Sequence, residues 1–383
     1  MSNANFKKTW IEIGQKAIQS NFKAIKPLLQ PKTKLWAVVK SNAYGHGLSL
    51  FSKIADQIGV DGFCVDSVVE GVKLREEGIK KPILVLGPTF KNLLKDAEEN
   101  KITITVSSFD GLEEIAKSKY KPEFHLKIDT GMHRQGFYVE ELKKVLQRVS
   151  SIHAYRQAGK YQVSSILTGV YTHFASAKDV NYPTFTEQQF AEFQKAVKVL
   201  EKSGFKNLIK HAAATGGALI NPKYHLDAVR IGIGFYGLYP SMELAIQLPK
   251  INLKPILSWH ALVSEIKNLK PGDYVGYDLI ERVNKATKMA VIPIGYWHGY
   301  PRALSGIGEV LIGGKKARLL GRVSMDMIVV DITGIKCRRG SKATLIGKQG
   351  SSEITAYDVA RQLGASYYEL LTRINPLIER IVK

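Results

Sequence analysis

The residues best able to do chemistry sit at the ends of short apolar runs. Lys40 closes Ala37-Val38-Val39-Lys40, and Lys127, Asp129 and Arg134 end or follow the run from Phe124 to Ile128. His173 ends Tyr171-Thr172-His173, Thr215 opens Thr215-Gly216-Gly217, and Arg230 lies just ahead of Gly232-Ile233-Gly234. Several cations, a hydroxyl and glycine-rich turns suit a phosphate-bearing anion, because backbone N–H groups at such turns or at helix starts bind phosphate. A lysine whose charge is disfavoured by burial is a nucleophilic amine that can form a Schiff base with an aldehyde. Pyridoxal phosphate carries an aldehyde and a phosphate together. Each residue also has an ordinary reading: a surface lysine, an arginine in an ion pair, a satisfied core histidine. Their recurrence at the same point of successive runs favours a site.

The runs themselves imply the scaffold. Eight of them occupy the first part of the chain: Leu35 to Val39, Gly62 to Val65, Ile83 to Leu86, Thr103 to Val106, Phe124 to Ile128, Thr168 to Thr172, Leu208 to Ala212 and Val229 to Ile233. Helical stretches such as Gly111 to Ser118 and Thr186 to Ser203 separate them. Strands alternating with helices predict a parallel sheet, and eight units predict a closed (β/α)8 barrel, with chemistry at the C-terminal strand ends. An open doubly wound sheet is the rival, but no Gly-x-Gly-x-x-Gly turn follows the first strand. After about Pro240 short β-branched runs at Ile256–Ile266, Lys288–Ile294, Glu309–Ile312, Ala317–Leu320, Ile328–Ile332 and Ala343–Ile346 predict a mostly-β second domain. One short helix is predicted after Thr355, an N-cap for Ala356 to Leu363.

Length and composition narrow the class. At 383 residues, with 45% apolar and 23% charged residues, the chain is an ordinary globular protein large enough for two domains. The net charge of +21 raises the idea of a nucleic-acid partner. The lysines are scattered over helical segments, so a solvated basic surface is the preferred reading. Cys64 and Cys337 lie far apart without metal-ligand spacing, which argues against a disulfide framework or a metal site and fits a reducing, cytoplasmic setting. The opening residues lack a signal-peptide apolar core, and no run is long enough to span a membrane.

The segment Ala37-Val38-Val39-Lys40-Ser41-Asn42-Ala43-Tyr44-Gly45-His46-Gly47 resembles the cofactor-lysine segment of alanine racemases. The resemblance continues through Lys127-Ile128-Asp129-Thr130-Gly131-Met132, Tyr171-Thr172-His173-Phe174-Ala175 and Val229-Arg230-Ile231-Gly232-Ile233. It extends to Pro293-Ile294-Gly295-Tyr296, Gly299-Tyr300-Pro301-Arg302 and Gly321-Arg322-Val323-Ser324-Met325-Asp326, and so covers nearly the whole chain in order. It implies an N-terminal strand within residues 1–12 joining the C-terminal domain, a pyridoxal 5'-phosphate-binding α/β barrel over 13–245 and a β-rich domain over 246–383. It also implies a homodimer with active sites completed in trans, acting on alanine and supplying D-alanine for peptidoglycan.

The resemblance further assigns roles. Lys40 carries the cofactor and is the base for the D-isomer; Tyr277, from the partner, is the base for the L-isomer. Two bases on opposite faces exchange a Cα proton without moving the substrate. Arg230 faces the pyridine nitrogen, and His173 packs near the ring and holds Arg230. Tyr44, Thr215, Gly232 and Ile233 hold the phosphate. Arg134 binds the substrate carboxylate, supported by Lys127, a lysine carbamylated in many members. Met325 and Asp326, contributed by the partner subunit, line the substrate end, and Tyr296 narrows the entrance. Several positions depart from the usual pattern: His133 for Gly, Ala214-Thr215 for Asn-Ser, Gly276 and Asp278 around Tyr277, Trp297-His298 in the entrance motif, and Pro376 for a phosphate-binding tyrosine. The alternatives are a racemase for another amino acid, such as serine or lysine, a non-catalytic cofactor-binding barrel, or a nucleic-acid-binding protein.

Overall fold

The computed structural model describes residues 7–157 and 166–383. Their contacts divide into two compact units: Ala17–Ala43 with Phe51–Pro255, and Met1–Lys16 with Tyr44–Leu50 and Ile256–Lys383. The chain therefore changes unit near residues 16 and 255, whereas the sequence suggested 12 and 245. It also changes unit twice more, around the short segment Tyr44–Leu50.

The strand β1 is Thr9–Ile13, and eight parallel strands follow: β2 Lys34–Val38, β3 Gly62–Val65, β4 Ile83–Val85, β5 Ile104–Val106, β6 Phe124–Lys127, β7 Leu167–Tyr171, β8 Ile209–His211 and β9 Ala228–Ile231. They form two ladders, β4-β3-β2-β9 and β5-β6-β7-β8. Single parallel bridges, Leu84 to Thr103 and Ala214 to Arg230, join the ladders at both seams and close the barrel. Most strand residues are buried, because one face packs on helices and the other fills the interior. Every apolar run taken as a barrel strand overlaps one of the eight.

The helix predicted from Gly111 is Phe109–Lys117, begun earlier because the Ser108 side chain accepts from the Gly111 N–H and caps it. The helix predicted from Thr186 is Thr184–Lys202. Asn21 is fully buried on the helix Gln15–Ile25. Its Nδ2 donates to Phe235 O at 3.3 Å and to Lys254 O at 2.9 Å, and its Oδ1 accepts from Lys254 N at 2.8 Å. Gly237 makes this approach possible, since a Cβ on it, at φ +81, would lie 1.8 Å from Lys254 O.

The second unit is built on β10 Leu257–Leu262, β11 Glu265–Leu269, β12 Tyr274–Val275, β13 Glu281–Arg282, β14 Thr287–Ile292, β15 Glu309–Ile312, β16 Lys315–Leu320, β17 Ile328–Asp331, β18 Lys342–Gln349, β19 Ser352–Ile354 and β20 Arg380–Val382. Its main sheet runs β11-β14-β17-β16-β15-β18-β10-β1-β20, with β19 beside β18. The strand β1 pairs antiparallel with β10 and parallel with β20. The run Ile256–Ile266, read as one strand, is two. The chain changes neighbours at Val263 and Ser264, whose N–H groups donate to Ser341 O and Val291 O. Thr355 caps the helix Ala356–Gln362 through a reciprocal bond with Asp358, and a second helix, Tyr367–Thr372, was not foreseen.

Asn21→Ala should lower the unfolding free energy by about 1–3 kcal/mol, since it removes one buried and two part-buried hydrogen bonds to the backbone of Phe235 and Lys254. Urea unfolding of the two proteins checks this.

Candidate active site

The site begins where β2 ends. Lys40 is followed by Ser41, Asn42, Ala43 and Tyr44 at φ 54°, 56°, 52° and 53°. A left-handed turn of non-glycine residues costs about 1–2 kcal/mol each, so it must be held. Ala43 N donates to Val39 O at 2.7 Å, and the Glu70 carboxylate accepts from Asn42 N at 3.4 Å and from Asp66 N at 2.8 Å. The Asp66 carboxylate in turn accepts from Lys40 Nζ at 3.3 Å. Glu70 thus ties the loops after β2 and β3 around the lysine. Gly45 ends the turn, and its carbonyl accepts from Arg380 Nε at 3.2 Å and Nη2 at 3.0 Å.

Arg230, on β9, is only 2% exposed, and its guanidinium is held by three close partners. Nη2 donates to Thr172 O at 2.8 Å and Ala212 O at 2.9 Å, and Nη1 donates to His211 Nδ1 at 2.5 Å. His173 Nδ1 lies 3.4 Å from Nη2. Because His211 accepts at Nδ1, its proton sits on Nε2, which donates to His125 Nδ1 at 2.9 Å. Burial, then the neighbouring Arg230, pushes the His125 imidazole down to about 3. The same two causes, reinforced by Lys127, Arg134 and Lys40, lower His173 to about 3. All three histidines, His211 included, are neutral at pH 7. Tyr171 stacks on His211 with ring centroids 4.7 Å apart.

Lys127 ends β6 and is 5% exposed. Burial first, then repulsion from Arg134, Arg230 and Lys40, lowers its amine to about 8, against a partial pull from Asp129. Its Nζ donates to Gln135 Oε1 at 3.2 Å. Asp129 accepts from Gly131 N and His133 N, both at 3.0 Å, which shapes the turn carrying exposed Arg134; His133 sits in it at φ 52°. Thr215 opens the short helix Thr215–Ile220, and its hydroxyl accepts from Gly232 N at 3.1 Å and Gly234 N at 3.4 Å. The Gly232 N–H is thus already in use, and Ile233 opens the 3-10 turn that follows.

The barrel unit therefore gathers Lys40, Lys127, Arg134, His173, Thr215, Arg230, Gly232 and Ile233. Tyr44 belongs to the other unit, where its ring lies 6.1 Å from Tyr368. Tyr277, Tyr296, Met325 and Asp326 belong there too. Tyr277 sits in the loop of the β12–β13 hairpin, and the loop turns through Gly276 at φ 76° and Asp278 at φ 62°. Tyr296 N donates to Ser324 O and Trp297 N to Met325 O, each at 3.0 Å, so the entrance motif rides on the Ser324-Met325-Asp326 segment. Asp326 lies 4.0 Å from the His298 ring, which burial holds below its ordinary range.

Sequence reasoning missed His125, His211, Asp66, Glu70 and Gln135. A signal existed for His125: counting back two from Lys127 along a strand reaches the same face. The others meet the site only through packing.

The cations outnumber Asp129, the one nearby buried carboxylate among the described residues, so the donor set suits a ligand bearing phosphate and carboxylate groups. Lys40 supplies the amine for an aldehyde, and Arg230 a donor that keeps its proton. These residues fit pyridoxal phosphate.

Residues 13–240 match the model of the alanine racemase N-terminal domain, and 256–382 that of the C-terminal domain. The alanine racemase of Leptospira interrogans is 35% identical over 385 residues, covering 98% of this chain and 95% of its own. The crystal structure of alanine racemase from Bacillus anthracis with bound L-Ala-P superposes with a TM-score of 0.91 at 34% identity, covering 99% of this chain and 95% of that one. A histidine racemase from Leuconostoc mesenteroides gives 0.83 at 30% identity, covering all of both chains.

Lys127's lowered pKa is a stability cost. Both folded and unfolded states are protonated below pH 8, so the cost is full there. It fades as pH rises from about 8 to 10.5, where the folded amine loses its proton first. In carbonate-free buffer, Lys127→Met should therefore gain stability at neutral pH by at most about 3 kcal/mol, and the gain should shrink across that window. Unfolding free energies measured against pH would show this; a pH-independent difference would contradict it.

Proposed function

The chain belongs to the alanine racemase family, and from this we infer that it is a pyridoxal-phosphate-dependent isomerase interconverting L- and D-alanine with Lys40 and Tyr277 as its two bases. The observation that carries the reading is the cluster of Lys40, Arg134 and Arg230 whose charges bear on buried Lys127, with Arg230 fixed by Thr172 O and Ala212 O. When bound, the cofactor supplies an aldehyde for amino groups and an electron-poor ring that acidifies the Cα proton.

The protein's residues do the rest. Lys40 holds the cofactor, and its amine takes or returns the Cα proton on the face used by the D-isomer. Tyr277's phenol does so on the opposite face, for the L-isomer. Arg230 would face the pyridine nitrogen and could offer it a hydrogen bond without giving up its proton. His173 backs that guanidinium. Tyr44, Thr215, Gly232 and Ile233 form the phosphate end, and Arg134 forks onto the substrate carboxylate. Lys127, with its neutral-prone amine, is a site for carbamylation. Met325, Asp326 and Tyr296 shape the substrate entrance.

Tyr277 is 68% exposed, and Leu279, Met325 and Met327 are 62%, 52% and 51% exposed. Exposed apolar side chains of this size in the unit that carries Tyr277 support a homodimer in which the partner subunit's Tyr277 completes each barrel site. No helix among the described residues is long and apolar enough to cross a membrane, and we place the enzyme in the cytoplasm, supplying D-alanine for peptidoglycan. A racemase of another amino acid is a second reading, favoured by the histidine racemase among the structural relatives.

L-Alanine incubated with the cofactor-loaded protein in heavy water should yield D-alanine bearing deuterium at Cα, and Lys40→Ala should abolish this. A bound cofactor with neither product nor exchange would point to another substrate. Lys40→Ala and Tyr277→Phe should each be inactive alone. Mixed subunits should recover about a quarter of the activity, because one of two sites in each heterodimer is intact. No recovery after subunit exchange would refute a site completed in trans.

A further inference from the structure

We propose that Gln135 is a two-position amide that holds Lys127 in either of two chemical states, amine or carbamate, and so makes the Arg134 end of the site responsive to dissolved carbon dioxide. The proposal rests on the reading of Lys127 as a carbamylation site. It goes beyond that reading by naming the residue that controls the modification.

Two observations meet at this point. The Lys127 amine donates to Gln135 Oε1 at 3.2 Å, while Gln135 Nε2 is buried and has no hydrogen-bond partner among the described residues. A buried amide donor without an acceptor is costly and favours whatever acceptor can reach it. Lys127 itself is crowded by the cations Arg134, Arg230 and Lys40, with Asp129 the nearby anion. An ammonium there adds to the repulsion, and an anion would relieve it.

Carbon dioxide supplies both the acceptor and the anion. The neutral Nζ attacks the carbon, an N–C bond forms, one C=O π pair moves onto oxygen, and one proton leaves Nζ for solvent. The side chain becomes –NH–COO⁻. Its oxygens lie two bonds from Nζ, as Gln135 Nε2 lies two bonds from Oε1. A half-turn about the last Gln135 torsion exchanges these two atoms, and such a torsion is nearly two-fold. Oε1 then serves the amine and Nε2 the carbamate. Arg134 already interacts electrostatically with Lys127, so the change of charge is felt by the guanidinium assigned to the substrate carboxylate.

The test uses holoenzyme equilibrated with 13C-bicarbonate over a concentration series at fixed pH. Carbon NMR reads the carbamate, and the KM for alanine is measured in the same solutions. In the wild type the carbamate signal should grow with bicarbonate, and KM should change several-fold in step; Lys127→Met should show neither. Gln135→Leu lacks both amide atoms and should need about tenfold more bicarbonate for the same signal. Gln135→Glu, whose carboxylate pairs with the ammonium and repels a carbamate, should abolish the signal. Cofactor absorbance of the loaded variants reports that they are folded. No signal in the wild type would reject the carbamylation reading and this proposal with it. A normal signal in Gln135→Leu with unchanged bicarbonate dependence would keep carbamylation and overturn the role of Gln135.

Discussion

A guanidinium with 2% exposure cannot be left unpaired, and the barrel is arranged around meeting that demand. Arg230 draws on Thr172 O after β7 and on His211 and Ala212 at the end of β8. Its own N–H donates to Ala213 O at 3.0 Å, which helps close the seam between β8 and β9. The residue that finishes the barrel is therefore the one that fixes the centre of the site. The fixed direction of its hydrogen bonds also dictates the tautomer of His211 and, through it, the partner of His125. A neutral histidine pair is the consequence, since a second buried cation beside Arg230 would be far costlier than an uncharged ring.

The remainder of the ring carries unrelieved cost. Lys127 is desolvated and surrounded by like charge, and the turn after Lys40 holds four non-glycine residues in the left-handed region. Neither feature helps the chain fold. Both make sense for a site whose ligand brings the missing negative charge, because a ligand that binds only the folded state returns stability by mass action. Glu70 and Asp66 have a structural part in this: they hold the strained turn against the neighbouring strand, so that the lysine stays at the strand end.

The second unit shows the same exchange in another form. Its sheet is long and well paired, yet its β12–β13 hairpin presents Tyr277 and Leu279 to solvent from a loop with positive φ at Gly276, Asp278 and Leu279. Exposed apolar groups on a strained loop have little value to an isolated chain. They gain it when another surface covers them, which is the physical basis of the dimer proposed above.

The periodic features were legible in the amino-acid sequence. Eight β-branched runs, the helix spacing between them and the change of texture after about Pro240 sufficed for the barrel and the β-rich unit, because strands buried on both faces need continuous apolar residues. Lys40, Lys127 and His173 stood out because each ends or closely follows such a run, and Arg230 because it is a charge inside one. Non-local contacts were not visible. Nothing within a few residues of Glu70 announces that it clasps Asn42, nor does Gln135 announce Lys127, and the run Ile256–Ile266 conceals a change of strand partner. Residue type and local period set the elements, since both act within a turn or a strand. Charge state, tautomer and the pairing of loops were decided only by tertiary structure, because they depend on groups brought together across tens to hundreds of residues.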